Sequence, residues 1–207
     1  MQRSKSVNWF HCNTQTSRTS HRDRTASASQ VRAVFDQEHR NLYWIALVIT
    51  GDPLLAEKSI VDARELNRSS NGVFCDWLTQ WAYSATARTA TGTVRALIRA
   101  SAETYSGWTC EHSDHAPLSG DQVATLQQLD PRKIIAGLDP LARSVLVLRG
   151  VQHASISDCS LLLDVSRRSV TGAYCHGFNW LREHTQLKDG SDKTFVAKAL
   201  VSNEDAR

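Results

Sequence analysis

The 207-residue chain carries little of what marks several large protein classes. No apolar run approaches the roughly 20 residues of a membrane span. The longest apolar cluster, Leu42 to Ile49, is stopped by Thr50-Gly51-Asp52-Pro53, so no membrane partnership is expected. Residues 1–30 are basic and rich in Ser and Thr, without the apolar centre of a secretory signal, and a cytoplasmic location follows as the default. The five cysteines (12, 75, 110, 159 and 175) are scattered and odd in number. That suits reduced thiols better than a disulfide framework. The chain also lacks a glycine-rich phosphate loop, a nucleophile elbow and a spaced acid pair, while His39, His153, His176 and His184 stand singly on helical patterns. Catalysis is therefore not expected, and no catalytic residue or cofactor is assigned.

Nor does any segment alternate apolar and polar residues as a half-buried strand would. What is present is helical periodicity. Leu42, Ile45, Ala46 and Ile49 form a stripe that ends at Gly51-Asp52-Pro53. Pro53 suits the first turn of a second helix through Leu55, Ser59, Ile60 and Ala63. A third pattern runs Phe74, Trp77, Leu78, Trp81 and Ala85, then, past a Thr-rich stretch with Gly92, Val94, Leu97 and Ile98. Trp77 and Trp81 could stack on bases, but their four-residue spacing beside Phe74 and Leu78 reads as core. The expectation is an all-α protein: two small helical domains joined by a flexible linker, the C-terminal one a helix-turn-helix.

The boundaries expected are a disordered basic tail over 1–29, a helical bundle over 30–103, a linker over 104–130, the helix-turn-helix over 131–187 and a tail over 188–207. The linker carries Gly107, Pro117, Gly120 and Pro131 with little periodicity apart from Val123 to Leu129. Its Cys110, His112, Asp114 and His115 are ligand-type side chains, but their spacing matches no closed zinc motif, and no metal is assigned. Net charge is only +3, and its distribution says more. Residues 31–130 hold 8 basic and 12 acidic side chains, whereas 131–187 hold 7 and 4. A basic end suits DNA contact.

Three short helical patterns fill Asp139 to Glu183. Leu141, Val145 and Leu148 share one face before Gly150. Ile156, Cys159, Leu162 and Leu163 repeat the stripe, with Ser155 or Ser157 available to cap it. After Asp164-Val165-Ser166, a third helix is expected from Arg167 to Arg182, capped by Ser166, with Val170, Tyr174, Phe178 and Leu181 inward. A turn this short makes the helices cross steeply over a buried Val165, the geometry of a helix-turn-helix. A plain helical hairpin in an all-α core has the same periodicity; the arginine pair at the start of the third helix favours DNA. Arg167, Arg168, Ser169, Thr171 and Gly172 are the expected DNA contacts. Arginine can bond phosphate or guanine, Thr171 can touch a base edge, and Gly172 permits close approach.

Two segments carry a resemblance. Leu42-Tyr43-Trp44-Ile45-Ala46-Leu47-Val48-Ile49-Thr50-Gly51-Asp52-Pro53, continued by Ala56-Glu57, resembles the start of region 2 of bacterial RNA polymerase sigma factors, sigma-70 family, extracytoplasmic-function type. Leu138-Asp139-Pro140-Leu141-Ala142-Arg143-Ser144-Val145-Leu146-Val147-Leu148-Arg149, with Val165-Ser166 and Ser169-Val170, resembles region 4 of the same family. The resemblance implies a transcription initiation factor. Its first domain would bind core RNA polymerase and open the promoter −10 element, and its second would read the −35 element of double-stranded DNA. An anti-sigma factor is a further partner of the kind such proteins have.

This chain departs from the family pattern at Lys58 and Val61, where an acidic residue and a glutamine are usual. It departs again at Thr171 and Ala173, where lysine and arginine are usual. Thr86-Ala87-Arg88-Thr89-Ala90-Thr91 stands where the family has an Arg-Asn pair and a basic run that helps melt DNA. The alternative expectation is a helix-turn-helix DNA-binding regulator that has lost promoter melting.

Overall fold

A computed structural model describes residues 25–69, 73–105 and 117–185. The fold is all-α, and no strand occurs among the described residues beyond one isolated bridge between Thr25 and Phe74. Two compact units part between Thr93 and Val94. The expected CEHSDH cluster, the tail over 188–207 and most of the tail over 1–29 lie outside the described residues.

The first unit is built from α1 (Ala28–Thr50), α2 (Pro53–Ser69) and α3 (Leu78–Thr93), which pack on one another. Helix α1 starts inside the segment expected to be a tail: Ser27 and Gln30 form a reciprocal capping box, which satisfies amides left over at a helix start. It ends at Gly51, whose φ of 73° is the left-handed conformation glycine adopts without strain. Asp52 then accepts the Leu54 and Leu55 amides at 2.8 and 2.9 Å and starts α2. Leu42, Ile45, Ala46 and Ile49 are fully buried, as their periodicity requires.

Small residues line the α3 side of this core: Ala82, Ala85, Thr86, Ala87, Ala90 and Thr91 are all buried. They let α2 come close enough for Thr89 Oγ1 to donate to the Ser59 carbonyl at 2.8 Å. Trp77 differs from its expected core place. It sits on a 3-10 turn (Cys75–Trp77) ahead of α3 and is 67% exposed, because the helical register assumed for it begins only at Leu78. Trp81 lies within α3, half-buried edge-on to Phe35.

The second unit holds α4 (Arg95–Ala102), a 3-10 turn (Glu103–Tyr105), α5 (Gly120–Gln128), α6 (Pro131–Gly137), α7 (Pro140–Val145), α8 (Ile156–Leu163) and α9 (Arg167–Thr185). Helix α4 packs on α7, α8 and α9, although periodicity had joined it to the first bundle. At Val94, φ −109° and ψ 18° break the helix between Thr93 and Arg95. Much of the expected linker also belongs here. Ser119 and Gln122 cap α5 reciprocally, and Leu118 and Leu126 are buried. Asp130 and Asp139 cap α6 and α7, each with proline at the first helical position.

Helix α7 runs on into a π turn, Leu146–Val151. This wider turn presents Arg149 inward, its guanidinium 5.3 Å from the centre of the Tyr174 ring and 3.2 Å from the Ala154 carbonyl it donates to. Leu141, Val145, Leu146 and Leu148 from this rod, with Leu163, Val170, Ala173 and Leu181, make the centre of the unit.

Candidate nucleic-acid interface

The helix pair α8 and α9 is held by polar contacts at each chain reversal. Ser155 caps α8 in a reciprocal box with Asp158, whose carboxyl is held below the usual range by bonds from the Ser155 hydroxyl and amide. At its far end Asp164 is left-handed, with φ 56° and ψ 49°, a conformation that Asp and Asn tolerate better than most residues. The Val165 amide returns to the Ser160 carbonyl at 3.2 Å, and the Ser160 hydroxyl donates to the Val165 carbonyl at 2.6 Å. Ser166 then caps α9 by accepting the Ser169 amide at 3.0 Å. The reversal therefore takes three residues. Val165 is half-buried rather than the buried wedge expected of it; Leu163 and Val170, on either side, are the buried pair.

The five expected contact residues separate on α9. Arg167 and Arg168 are exposed, and among the described residues neither has a hydrogen-bond or ion-pair partner. Thr171 is half-buried on the same side. Ser169 is 5% exposed, with its hydroxyl 2.9 Å from that of Ser166, and Gly172 is buried, so both serve the helix start and its packing. Further along, Asn179 is exposed and Phe178 half-buried. The outward strip of α9 is thus narrow and basic at its beginning.

That placement has an electrostatic cost within the fold. A helix N-terminus carries about half a positive charge, so a cation in the first turn is unfavourable by roughly 0.3–1 kcal/mol. Arg167 and Arg168 both stand there with no acid in the first turn. The exposed amide end and two guanidinium groups together form a place for an anion such as a phosphate. By contrast, Arg143 on α7 is buried; burial lowers its pKa, and Asp139 opposes that loss. It takes no part in the surface.

Periodicity gave no sign of a second set of contacts behind α9. Tyr105 is 1% exposed and its hydroxyl donates to Asp139 Oδ2, while Tyr105 Oη and His176 Nδ1 lie 2.6 Å apart. Asp139 Oδ1 meanwhile accepts the Leu141 and Ala142 amides at 2.9 and 3.1 Å. Arg99 on α4 pairs with Asp164 in the α8–α9 turn. Cys175 is disulfide-bonded, and Cys75 and Cys159 are free thiols. The reading of the cysteines as uniformly reduced is corrected at Cys175, since an odd total leaves room for a pair.

Comparison with known protein families, curated proteins and solved structures finds no match to this chain. The functional argument therefore rests on the residues. Among the described residues no group of three or more His, Cys, Asp and Glu is arranged to hold a metal. No described helix is long and apolar enough to cross a membrane.

Proposed function

We propose that the chain is a sigma-like transcription initiation factor: residues 94–185 read duplex promoter DNA through α9, and the first unit binds core RNA polymerase. The observation that carries this reading is the Arg167–Arg168 pair, without a partner among the described residues, at the first turn of a helix entered through a three-residue turn. Among the described residues nothing offsets the charge of that pair, and an external polyanion does. The first turn of the second helix is also the part that enters a major groove in helix-turn-helix proteins.

For the first unit, support comes from α2. Leu54 is 81% and Val61 47% exposed, with Lys58 exposed between them at helical spacing. This is the surface where the resemblance puts polymerase contact. Two weak sites on one chain act together through the covalent link between them. An anti-sigma factor would compete for the same surfaces, and the cytoplasm is the compartment such a function needs.

The reading is tested by copurifying core RNA polymerase with the full chain and measuring duplex binding across a salt series. Arg168→Ala should weaken duplex binding by ~1–3 kcal/mol and, if it contacts phosphate, reduce the salt slope by about one. Unchanged affinity would remove Arg168 from the interface. Failure to bind polymerase at low salt would refute the initiation role.

A second reading, a DNA-binding regulator without promoter melting, is favoured by α3. Thr86, Ala87, Ala90 and Thr91 face the core and Thr89 bonds α2, which leaves Arg88 as the one exposed cation of that stretch. Permanganate footprinting separates the two readings. Reactive thymines with polymerase bound indicate melting; protected duplex alone indicates the regulator.

A further inference from the structure

We propose that residues 94–105 are a strap belonging to the DNA-reading unit, and that Tyr105, through His176, is a positioning residue for α9. This rests on the DNA-reading role proposed above and adds the element that sets the pose of its reading helix.

The strap has its own buried face. Val94, Ile98 and Tyr105 are 3%, 0% and 1% exposed, while Arg95, Leu97 and Arg99 point out. It meets the helix pair at two places. At one, Arg99 pairs with Asp164, three residues before α9 begins. At the other, Tyr105 reaches His176, in the middle of α9. One attachment holds the turn that leads into α9 and the other holds its middle, and two separated attachments fix the direction of the helix as well as its position, which a single attachment does not.

Proton accounting gives the second attachment a direction. The Tyr105 hydroxyl has one hydrogen and donates it to Asp139 Oδ2. Its oxygen must then accept from His176, so Nδ1 of that imidazole carries a hydrogen. The chain runs from His176 to Tyr105 to Asp139, and Asp139 is itself fastened to the first amides of α7. Tyr105 therefore bridges the start of α7 and the middle of α9, where His176 Nδ1 also lies 4.0 Å from Asp139 Oδ2. Base-reading side chains must be held within about 0.5 Å and 10–20° of their productive pose. Arg167 and Arg168 stand more than two turns from His176 at the start of α9, so a small tilt of the helix about His176 displaces them.

The test uses the full chain. A preferred duplex is selected from a random pool with the wild-type protein, and affinities for it and for a scrambled duplex are measured across a salt series, with thermal melting recorded alongside. The variants are Tyr105→Phe, His176→Ala and His176→Asn. An asparagine amide can place a donor near the position of Nδ1.

The expected result is that Tyr105→Phe and His176→Ala lose about tenfold or more of the preference for the selected duplex. Affinity for the scrambled duplex and its salt slope should stay within about twofold, since both count phosphate contacts. His176→Asn should restore most of the preference. His176 is half-exposed, so its two variants carry the test should Tyr105→Phe fold poorly. Wild-type preference in all three variants overturns the strap and leaves the DNA-reading role standing. Equal loss on both duplexes together with a lower melting temperature assigns Tyr105 to packing and also overturns it. No duplex binding by the wild type removes the DNA-reading role, and the strap's function with it.

Discussion

Replacing Gly137 by alanine sets two effects of known sign against each other. Gly137 closes α6, and a Cβ built there would lie 2.2 Å from Trp180 Nε1, 2.6 Å from Cε2 and 2.9 Å from Cζ2. Ordinary contact is about 3.5 Å or more, so the methyl and the indole overlap by over an ångström. The indole has little room to yield. It is 8% exposed and stacked on His184 at 4.2 Å between ring centres and 17° between planes. Overpacking of this kind costs about 1–3 kcal/mol. Alanine's helix propensity returns at most about 1 kcal/mol, and less at a last helical residue. The net is a loss of about 1–2 kcal/mol, a drop of the order of 5–15 °C in the melting of a unit this size.

Thermal unfolding followed by far-ultraviolet circular dichroism, which reads helix content with or without Trp180, measures it. The control is the same change in a Trp180→Leu background. There the overlap is gone, and Gly137→Ala should be neutral or slightly stabilising. A melting temperature at or above wild type with Trp180 in place would refute the reasoning, as would an equal loss in both backgrounds.

Buried phenols and one thiol set the alkaline limit. Burial pushes Tyr174 up to about 12 and Cys159 up to about 11. Burial, then the neighbouring Asp139 and Glu38 carboxylates, raises Tyr105 and Tyr83 further. Raised folded-state values mean stability that is complete below the free-phenol range near pH 10 and lost as pH climbs through the folded values; urea midpoints that stay flat from about pH 9 to 12 would contradict it. Cys75, half-buried, should react with a maleimide well before Cys159, which is buried and holds its proton tightly. Equal labelling rates in the native chain would show that Cys159 is reached from solvent. Gly51→Ala should cost about 1 kcal/mol in urea unfolding, because a Cβ is strained at φ 73°; no loss would mean that α1 ends differently.

What could be read from the chain beforehand was whatever repeats along a single element. Leu42, Ile45 and Ile49, or Val170, Tyr174 and Leu181, each announce a buried face by spacing alone, and the short polar interval Asp164–Ser166 announces a reversal. Trp77 shows the limit of that signal. It holds the right spacing for a helix that starts one residue later, so spacing predicts core for an aromatic that is exposed. Val94 to Tyr105 shows a deeper limit. The stripe of Val94 and Ile98 says that the segment is buried and says nothing of which unit buries it, and one broken residue at Val94 transfers it from the first to the second.

The contacts that fasten it there, Arg99 to Asp164 and Tyr105 to His176, join residues 65 and 71 positions apart. No local period relates such residues. The same holds for the candidate face of α9. Sequence put five residues of the first turns toward DNA, yet a helix packed as closely as this one offers solvent a strip rather than half its surface. Arg167 and Arg168 stand on that strip, while Ser169 and Gly172 go to the core. The arginine pair is the part of the candidate site that sequence and structure both isolate, because a charged side chain without a partner among the described residues is conspicuous at either level.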